Sequence, residues 1–414
     1  MSPSRILVIH NRYRQSGGED HAFRQEADLL LARGHTVIEY IDTNDRFDDA
    51  HPVAESLRAV WSQESYRRIA AIVRDAQPEI AHFHNTFLKI SPAAYYACQD
   101  AGVPVVQTLH NYRLGCVNGC CVRASSPCQT CMPSPFAWRA VVHGCYRNSR
   151  PASLAVAGLH AIHRAAGTYR SKVDAFISTS HFARTLHIRS GVPEDRCFVK
   201  PNFSADVAEV VRPPSPRGAP YALFVGRLCE EKGIHVALEA WAAYRLSMPL
   251  KVVGVGPSEA ALREKYGANP AVEFIGSVPR QEVMRLMVAA DFLVHPSLVF
   301  ENCGLVVIEA LSAGLPCVVS GHGSFAELVD HKVSGLHFRP GNAAELAASV
   351  MWMEHHPAER ERMRLSARAR FLSEFTAGRN YETLMGVYEY AAREHEAPAE
   401  GRASAAIEAR GIPA

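Results

Sequence analysis

Two successive runs of short apolar stretches alternating with longer amphipathic stretches constrain the fold of this chain more than any other feature. The first run predicts buried strands at 5–10, 36–41, 79–83, 104–109 and 174–179. The second run predicts strands at 221–225, 250–253, 272–275, 291–295 and 316–319. Helical patterns lie between them, at 20–33 and then at 233–246, 257–266, 280–289, 304–313 and 343–355. Because such alternation is typical of a parallel sheet covered on both faces, we expect an α/β chain with two doubly wound, Rossmann-like sheets.

A proline-rich segment at 204–220 separates the two runs and is predicted to be a linker. We therefore expect an N-terminal domain at 1–203 and a C-terminal domain at 221–376. A final helix at 377–394 is expected to pack back on the N-terminal domain, and the polar residues 395–414 are expected to form a flexible tail. Ligands of such sheets bind beyond the carboxyl ends of the strands, so the two domains are expected to face a shared cleft.

The composition limits the classes of function. The formal net charge is only +2, which gives no case for nucleic-acid binding, because that function needs a concentrated basic field. The opening sequence MSPSRILVIH lacks the long apolar core of a signal peptide. No stretch of the chain approaches the ~20 apolar residues that span a bilayer. We therefore expect a soluble, cytoplasmic protein.

The segment that joins the first C-terminal strand to its helix reads GRLCEEKG. Gly226 ends the strand at a point where a Cβ would hinder close approach, and Arg227 and Lys232 bring two positive charges there. The helix that begins near Gly233 adds the positive end of its dipole. An arginine can bind phosphate through two N–H groups, while a lysine acts as a point charge. The segment predicts a diphosphate site, with ordinary surface charges as the alternative.

Two acids eight residues apart, Glu301 and Glu309, form the second candidate feature. A helix is expected to begin near Cys303 or Gly304, which places Glu309 in an apolar segment where a carboxylate needs a partner. The hydroxyls of a ribose are suitable partners, and Glu301 is expected to point at a sugar. The alternative is one buried salt bridge and one capping carboxylate. Backbone N–H groups at the helix start could bind sugar hydroxyls or phosphate oxygens; they belong to Asn302, Cys303, Gly304 and Leu305.

Two loops of the N-terminal half carry candidate residues at strand ends. Gly17 and Gly18 permit positive φ and close backbone approach, so this loop is expected to cover bound phosphates. His110 ends the fourth strand and is expected to face the cleft, in either a chemical or a structural role. His84 and Asn85 end the preceding strand and are weaker candidates for substrate contacts, with a structural role in the core as the alternative.

A cysteine-rich insert occupies residues 111–150 and holds six of the 11 cysteines. Without an export signal, a disulfide framework is disfavoured. The spacing C-x11-C-x2-C-x13-C resembles a structural zinc site, for which an iron–sulfur cluster, reduced thiols or disulfides are the alternatives. The candidate ligands are Cys116, Cys128, Cys131 and Cys145.

Taken together, these motifs resemble the family 4 glycosyltransferases, most closely over about residues 221–340. GRLCEEKG resembles the phosphate-binding G-R-L-x-x-x-K-G of that family, and FENCGLVVIEALSAGLP resembles its E-x7-E motif. GGED after the first strand and HNYR after the fourth resemble one branch, which often carries a Cys-rich loop at this point. The resemblance implies a GT-B fold, a UDP- or GDP-sugar donor, retention of anomeric configuration, and no metal or other cofactor for the chemistry.

The resemblance also implies roles for individual residues. Arg227 and Lys232 would stabilise the leaving diphosphate. Glu301 would hold sugar hydroxyls, Glu309 would hold the ribose, and His110 would be the active-site histidine. The N-terminal domain becomes the acceptor side and the C-terminal domain the nucleotide-sugar side.

The partners that the resemblance implies are a nucleotide sugar and a saccharide, lipid-linked or small-molecule acceptor, as in polysaccharide or glycoconjugate biosynthesis. Many enzymes of this fold reach such acceptors through a basic face, so peripheral contact at the inner membrane face is one expectation, with an ordinary solvated face as the alternative. The candidate basic residues are Arg139, Arg147, Arg150, Arg164, Arg170 and Lys172. The alternatives are a non-catalytic nucleotide-sugar-binding homologue and a sugar-nucleotide epimerase, which would not couple the two cations with the two acids.

Overall fold

The computed structural model describes residues 3–14, 17–46, 51–124, 126–207 and 218–396. These residues form two compact units. Unit 1 consists of the described parts of 1–120, 129–201 and 380–414, and unit 2 of the described parts of 121–128 and 202–379. The predicted linker at 204–220 lies mostly outside the described residues, and the predicted tail at 395–414 lies outside them beyond Glu396.

The described strands fall into two large sheets and one small hairpin. Their bounds are β1 Arg5–Arg12, β2 Thr36–Thr43, β3 Ile80–Asn85, β4 Val105–Leu109, β5 Val122–Arg123, β6 Ser126–Pro127, β7 Ala175–Ser178, β8 Cys197–Val199, β9 Ala222–Val225, β10 Leu250–Val253, β11 Val272–Gly276, β12 Phe292–His295, β13 Cys317–Ser320 and β14 Gly335–Phe338. β5 and β6 form the hairpin, within the Cys-rich insert. Strands lie at every predicted position, while β5, β6, β8 and β14 were not predicted.

Unit 1 is built on a parallel six-stranded sheet with the order β2-β1-β3-β4-β7-β8. Its helices are α1 Gly18–Ala32, α2 Pro52–Val60, α3 Gln63–Ala76, α4 Ala93–Asp100, α5 Trp138–Val142, α6 Arg150–Ala165, α7 Thr168–Ser171 and α8 His181–Arg189. Serine side chains cap three of them: Ser62 begins α3, Ser149 begins α6 and Ser180 begins α8.

Unit 2 repeats this architecture with the strand order β11-β10-β9-β12-β13-β14, which is the doubly wound order 3-2-1-4-5-6. A short 3₁₀ helix, Glu230–Lys232, precedes its first α-helix. The helices are α9 Ile234–Ala243, α10 Glu259–Tyr266, α11 Arg280–Ala289, α12 Leu305–Ser312, α13 Gly323–Leu328, α14 Ala343–His355 and α15 Pro357–Glu374, followed by the chain's last described helix, α16 Ala377–Glu396. Apolar clusters cover both faces of the sheet.

The core of unit 1 also has two faces. On one face α3 and α4 pack against the sheet, and on the other the sheet packs against α1 and α16. Leu384, Val387 and Tyr388 of α16 are buried completely in the same cluster as Ile6 and Val8 of β1. Among the described helices, none has the length and apolar character needed to cross a membrane.

Candidate active site

The loop after β9 carries the two predicted phosphate-binding cations. Arg227 is exposed just beyond the strand, and Lys232 ends the short 3₁₀ helix. Gly233 follows with a φ of 66°, and a Cβ built on it would lie 1.9 Å from the carbonyl oxygen of Pro296. The turn that holds Lys232 therefore packs directly against the backbone that leads to Glu301.

Lys232 and Glu301 form an ion pair in which Nζ lies 2.6 Å from Oε1. The hydroxyl of Ser297 donates a hydrogen bond to the same carboxylate oxygen at 2.9 Å. Burial alone would raise the pKa of Glu301, but Lys232, His295 and the two hydrogen bonds outweigh it and hold this pKa below its usual value. At neutral pH the site therefore presents an ammonium group beside a carboxylate, which suits a ligand carrying both phosphate and hydroxyls.

Glu309 lies inside α12, whose N-cap is Gly304 as the sequence predicted. Its carboxylate lies 2.8 Å from the guanidinium of Arg280, which follows β11. Burial raises the pKa of Glu309, and Arg280 offsets this only in part. Arg280 therefore supplies the partner that the buried carboxylate of Glu309 requires. This is the buried salt bridge that was the alternative to a ribose contact.

The strand order explains why these groups come together. β9 lies beside β12, so the loops that follow the two strands are neighbours. The backbone N–H of Leu298 donates to the carbonyl of Glu231 at 2.9 Å and joins the two loops. The structure therefore brings Lys232 and Glu301 into contact, pairs Glu309 with Arg280, and leaves Arg227 exposed. Ser297, His295 and Arg280 were not among the predicted site residues.

In unit 1, four ionisable side chains form a continuous row: Lys200, Glu26, His84 and His110. Lys200 Nζ lies 2.5 Å from Glu26 Oε2, and Glu26 Oε1 lies 3.2 Å from His84 Nε2. His84 Nδ1 lies 2.9 Å from His110 Nε2. Burial lowers the pKa of His84 to about 3 and holds the pKa of His110 well below its ordinary value, so both rings are neutral at pH 7. His110 is the partly exposed end of this row.

Glu26 and Lys200 were not among the predicted site residues, although the sequence of α1 contains a signal for Glu26. Glu26 lies on the buried face of that helix, together with Phe23 and Leu30. A carboxylate in such a stripe requires a buried partner. That partner comes from a distant part of the chain, directly after β8, and Asn380 of α16 also accepts a hydrogen bond from Lys200 at 3.3 Å.

The glycines of the first loop do not use the left-handed backbone conformation that the sequence analysis invoked. Gly17 has a φ of −142°, and Gly18 is absent from the described glycines with positive φ. Both are exposed at the start of α1. The backbone N–H of Gly17 donates to Asp20 at 2.8 Å, and the other carboxylate oxygen of Asp20 lies 2.9 Å from His10. The loop is thus anchored by a capping carboxylate, and its contact with a ligand stays a prediction.

Asn85 and the cysteine-rich insert complete the predicted set. Asn85 donates a hydrogen bond to the carbonyl of Asn11 at 2.7 Å and accepts one from the N–H of Phe87 at 3.0 Å, so its amide has a structural role inside unit 1. In the insert, Cys116 donates to Asn118 at 3.0 Å. Cys128, Cys131 and Cys145 are partly exposed. Among the described residues, the group that gathers three ligand-type side chains is Glu26, His82 and His84, so zinc in the insert stays a prediction.

Comparison with known proteins shows that unit 2 is similar in sequence to glycosyltransferases. The model of the family "Glycosyl transferases group 1" matches residues 209–370. The amylovoran biosynthesis glycosyltransferase AmsK of Erwinia amylovora is 32% identical over 178 residues, which cover 40% of this chain and 44% of that protein. Glycogen synthase of Mycobacterium tuberculosis is 36% identical over 167 residues, or 39% of this chain and 40% of that protein. The chain thus spans less than half the length of the curated relatives it matches.

Solved structures match over nearly the whole chain. Anabaena HepE, in complex with UDP and glucose, superposes with a TM-score of 0.65 at 18% identity, covering 92% of this chain and 98% of that one. A glycosyltransferase from Rickettsia africae superposes with a TM-score of 0.66 at 14% identity, covering 94% and 98%. With its two parallel α/β sheets, the chain therefore has the GT-B fold that the sequence predicted.

Proposed function

We propose that this chain is a retaining glycosyltransferase that moves a sugar from a UDP- or GDP-sugar to a saccharide, lipid-linked or small-molecule acceptor. The observation that carries the proposal is the Lys232–Glu301 pair, held at the carboxyl edge of a doubly wound sheet. One ligand that offers phosphate to an ammonium and hydroxyls to an adjacent carboxylate is a sugar diphosphate. The match of unit 2 to "Glycosyl transferases group 1" supports the same class.

The proposed reaction exchanges one bond at the anomeric carbon of the sugar. The bond from that carbon to the β-phosphate oxygen breaks, and a bond to the acceptor oxygen forms on the same face of the ring. The acceptor's proton passes to the departing phosphate oxygen, so no metal or other cofactor enters the step. Arg227 and Lys232 stabilise the charge that grows on the diphosphate, and Glu301 holds sugar hydroxyls. The proposal keeps a polysaccharide or glycoconjugate pathway as its setting.

Glu309 is proposed to bind the ribose hydroxyls of the donor. Arg280 holds its carboxylate in place at 2.8 Å, and the free lone pairs of that carboxylate can accept from two vicinal hydroxyls. The backbone N–H groups at the start of α12, where Gly304 is the N-cap, are proposed to bind oxygen atoms of the same ligand.

Binding of a nucleotide sugar is expected to raise the unfolding temperature of the full chain, since a ligand that binds only the native state stabilises it by about 2.7 kcal/mol at 100 times its Kd. The screen compares UDP-, GDP- and ADP-sugars. Arg227→Gln is expected to remove most of the shift. Arg285→Gln, which changes an arginine exposed at 57% in the same unit, is the matched control and should keep it.

Turnover separates this proposal from its alternatives. Release of nucleoside diphosphate from the stabilising donor, with an extract as acceptor source, supports a transferase. Stabilisation without any release would indicate a non-catalytic nucleotide-sugar-binding homologue, and interconversion of the donor sugar would indicate an epimerase. The absence of a shift with all three nucleotides would contradict the proposed donor site.

Unit 1 carries a face suited to an anionic membrane surface. No Asp or Glu occurs between Asp100 and Asp174, whereas the exposed side chains of this stretch in unit 1 include Arg139, Arg147, Arg150 and Arg170. A groove of about 560 Å³ lies between α2 and α6 of the same unit. Leu57 and Leu154 at this groove are 68% and 52% exposed, and Trp138 of α5 is 54% exposed. We propose that this basic apolar face contacts anionic lipid at the membrane.

Leu57→Glu is expected to weaken co-sedimentation with vesicles of phosphatidylglycerol and phosphatidylcholine by about 100-fold. The change removes the proposed apolar contact of Leu57 with lipid, which is worth about 2 kcal/mol. It also places a negative charge against anionic lipid, which costs about 1 kcal/mol. The matched control is Leu365→Glu, which alters a leucine of unit 2 that is 70% exposed. Equal binding of both variants, or equal binding of wild type to pure phosphatidylcholine, would contradict the proposed contact.

A further inference from the structure

We infer that Glu26, acting through His84, fixes the single ring proton of His110 on Nε2 and thereby makes Nδ1 of His110 a hydrogen-bond acceptor. Glu26 and His84 are then positioning residues, since they act on His110 and not on a ligand. The role of this acceptor in sugar transfer rests on the proposed function. The proton assignment itself rests only on the contacts within unit 1.

Two contacts join the three side chains: an ion-pair contact between Glu26 and His84, and a hydrogen bond between His84 and His110. Glu26 Oε1 lies 3.2 Å from His84 Nε2, and His84 Nδ1 lies 2.9 Å from His110 Nε2. The centroids of the two histidine rings are 5.1 Å apart and their planes differ by 16°. Two nearly parallel rings whose nitrogens are much closer than their centroids meet edge to edge. This is the arrangement that an N–H···N hydrogen bond in the ring plane requires.

The charge of Glu26 determines which nitrogen donates and which accepts in each contact of the row. Lys200 and His82 hold the pKa of Glu26 well below its usual value against the opposing effect of burial, so this carboxylate is ionised and can only accept. A neutral His84 ring carries one N–H proton. If that proton were on Nδ1, the lone pair of Nε2 would face the negative carboxylate of Glu26 at 3.2 Å, which is electrostatically unfavourable. The proton of His84 therefore lies on Nε2, and its Nδ1 must accept from His110. A neutral His110 is then left with an unprotonated Nδ1.

The surrounding groups hold this arrangement in place. Phe23 packs edge-on against His84 at 5.1 Å, and His10 lies edge-on at 6.4 Å. His82 contacts the same oxygen of Glu26 at 3.1 Å, and its other nitrogen lies 2.7 Å from the hydroxyl of Thr108. Glu26, His82 and His84 have the ligand types of a metal site, but the Lys200 ammonium at 2.5 Å already supplies the cation that the carboxylate needs.

As a result, Nδ1 of His110 requires a hydrogen-bond donor as its partner. Among the described residues, His110 makes its hydrogen bond through Nε2 alone. Its Nδ1 lone pair can accept from a hydroxyl group, but a neutral ring with that polarity offers neither a proton nor a positive charge to a phosphate oxygen. His110 is therefore suited to accept a hydrogen bond from a sugar hydroxyl. The diphosphate must be bound by cationic side chains instead.

The test is histidine-selective ¹⁵N NMR of the full chain at pH 7, with the His110 signals assigned from a His110→Gln variant. In wild type, the protonated nitrogen of His110 is expected to couple to both ring carbon-bound protons, as Nε2 does. In Glu26→Gln, Lys200 is expected to keep the amide oxygen, so the amide NH₂ donates to His84 Nε2. His84 then donates from Nδ1, and the proton of His110 is expected to move to Nδ1.

Thr108→Val is the matched control, because it removes a buried hydrogen bond of His82 but leaves the side chains of Glu26, His84 and His110 and their contacts with one another unchanged. It is expected to leave the proton of His110 on Nε2. A wild-type His110 that is protonated on Nδ1, or doubly protonated at pH 7, would overturn the inference even if Glu26→Gln failed to fold. So would a folded Glu26→Gln variant in which the proton of His110 stays on Nε2.

Activity provides a second, separate readout. If a donor is turned over, Glu26→Gln is expected to lower kcat by about 10- to 100-fold with a smaller change in KM, the size typical of a buried polar group left without its hydrogen-bond partner. An unchanged kcat beside a moved proton would overturn the positioning role. If no donor is turned over, the proposed function fails, while the NMR result still decides the proton assignment.

Discussion

Replacing Lys232 with methionine is expected to slow the release of nucleoside diphosphate from the donor by about 10²–10³-fold, the largest loss of activity that the structure predicts. Methionine keeps the length and apolar stem of the side chain but removes the ammonium that lies 2.6 Å from Glu301. Removing one preorganised group that stabilises transition-state charge typically costs ~3–4 kcal/mol in the barrier. The loss should appear in kcat, because the charge on the diphosphate grows as the bond breaks.

The control for this experiment is Lys265→Met, which removes an exposed lysine from α10 of the same unit. It should release nucleoside diphosphate at the wild-type rate. Rates within about twofold of wild type for both variants would show that Lys232 does not stabilise the leaving group. The proposed donor site would then have to be abandoned.

The same variant should also change how stability depends on pH. In wild type the pKa of Glu301 is below its unfolded value, so its contribution is fully present above the unfolded pKa and is lost as pH falls through the folded one. In Lys232→Met, burial is left as the main influence and raises this pKa. Glu301 then destabilises the fold as pH rises through its unfolded pKa. Urea unfolding at pH 4 and pH 7 should show the larger deficit at pH 7.

Gly233→Ala is expected to destabilise unit 2 by about 2–5 kcal/mol. An L-residue at its φ of 66° costs about 1–2 kcal/mol, and overpacking typically adds 1–3 kcal/mol. Here the new Cβ would lie 1.9 Å from the carbonyl oxygen of Pro296, which is backbone and has little freedom to move. Thermal unfolding should show a transition lowered by about 10 °C.

Gly276→Ala separates the two causes. Gly276 has a φ of 82°, but a Cβ built there meets nothing within 4 Å. Its loss of stability should therefore be the conformational part alone, about 1–2 kcal/mol. If both variants lost the same amount, the close packing of the Gly233 turn on Pro296 would play no role in stability.

The elements of unit 2 that form the candidate site could be predicted from the sequence because they are local. The strand before Gly226 is an apolar run, and the start of α12 follows from Gly304. These features depend on periodicity and on glycine positions within a few residues. The ion pair of Lys232 with Glu301 was not predicted; it follows from the strand order, which makes the two loops neighbours.

The parts that could not be predicted depend on long-range pairing. Arg280 at the start of α11 contacts Glu309 inside α12, and nothing in either local pattern indicates the other. Lys200 and Glu26 are even farther apart in the chain. α15 was also missed, because its many charged side chains leave a narrow apolar face, although Phe371 is buried completely. Tertiary packing, and not periodicity, determines such features.

Because α16 is translated after the sheet that it covers, its contacts with that sheet can form only late in translation. Tyr388, which lies 2.8 Å from His82, and Asn380, which bonds to Lys200, are translated about 300 and 180 residues after their partners. The first sheet to be translated is therefore completed late, since His82 and Lys200 gain their hydrogen bonds with α16 only when the chain beyond Asn380 emerges. Until then those groups and the apolar surface under α16 are open to chaperones, and nascent chains stalled before this helix should be their preferred clients.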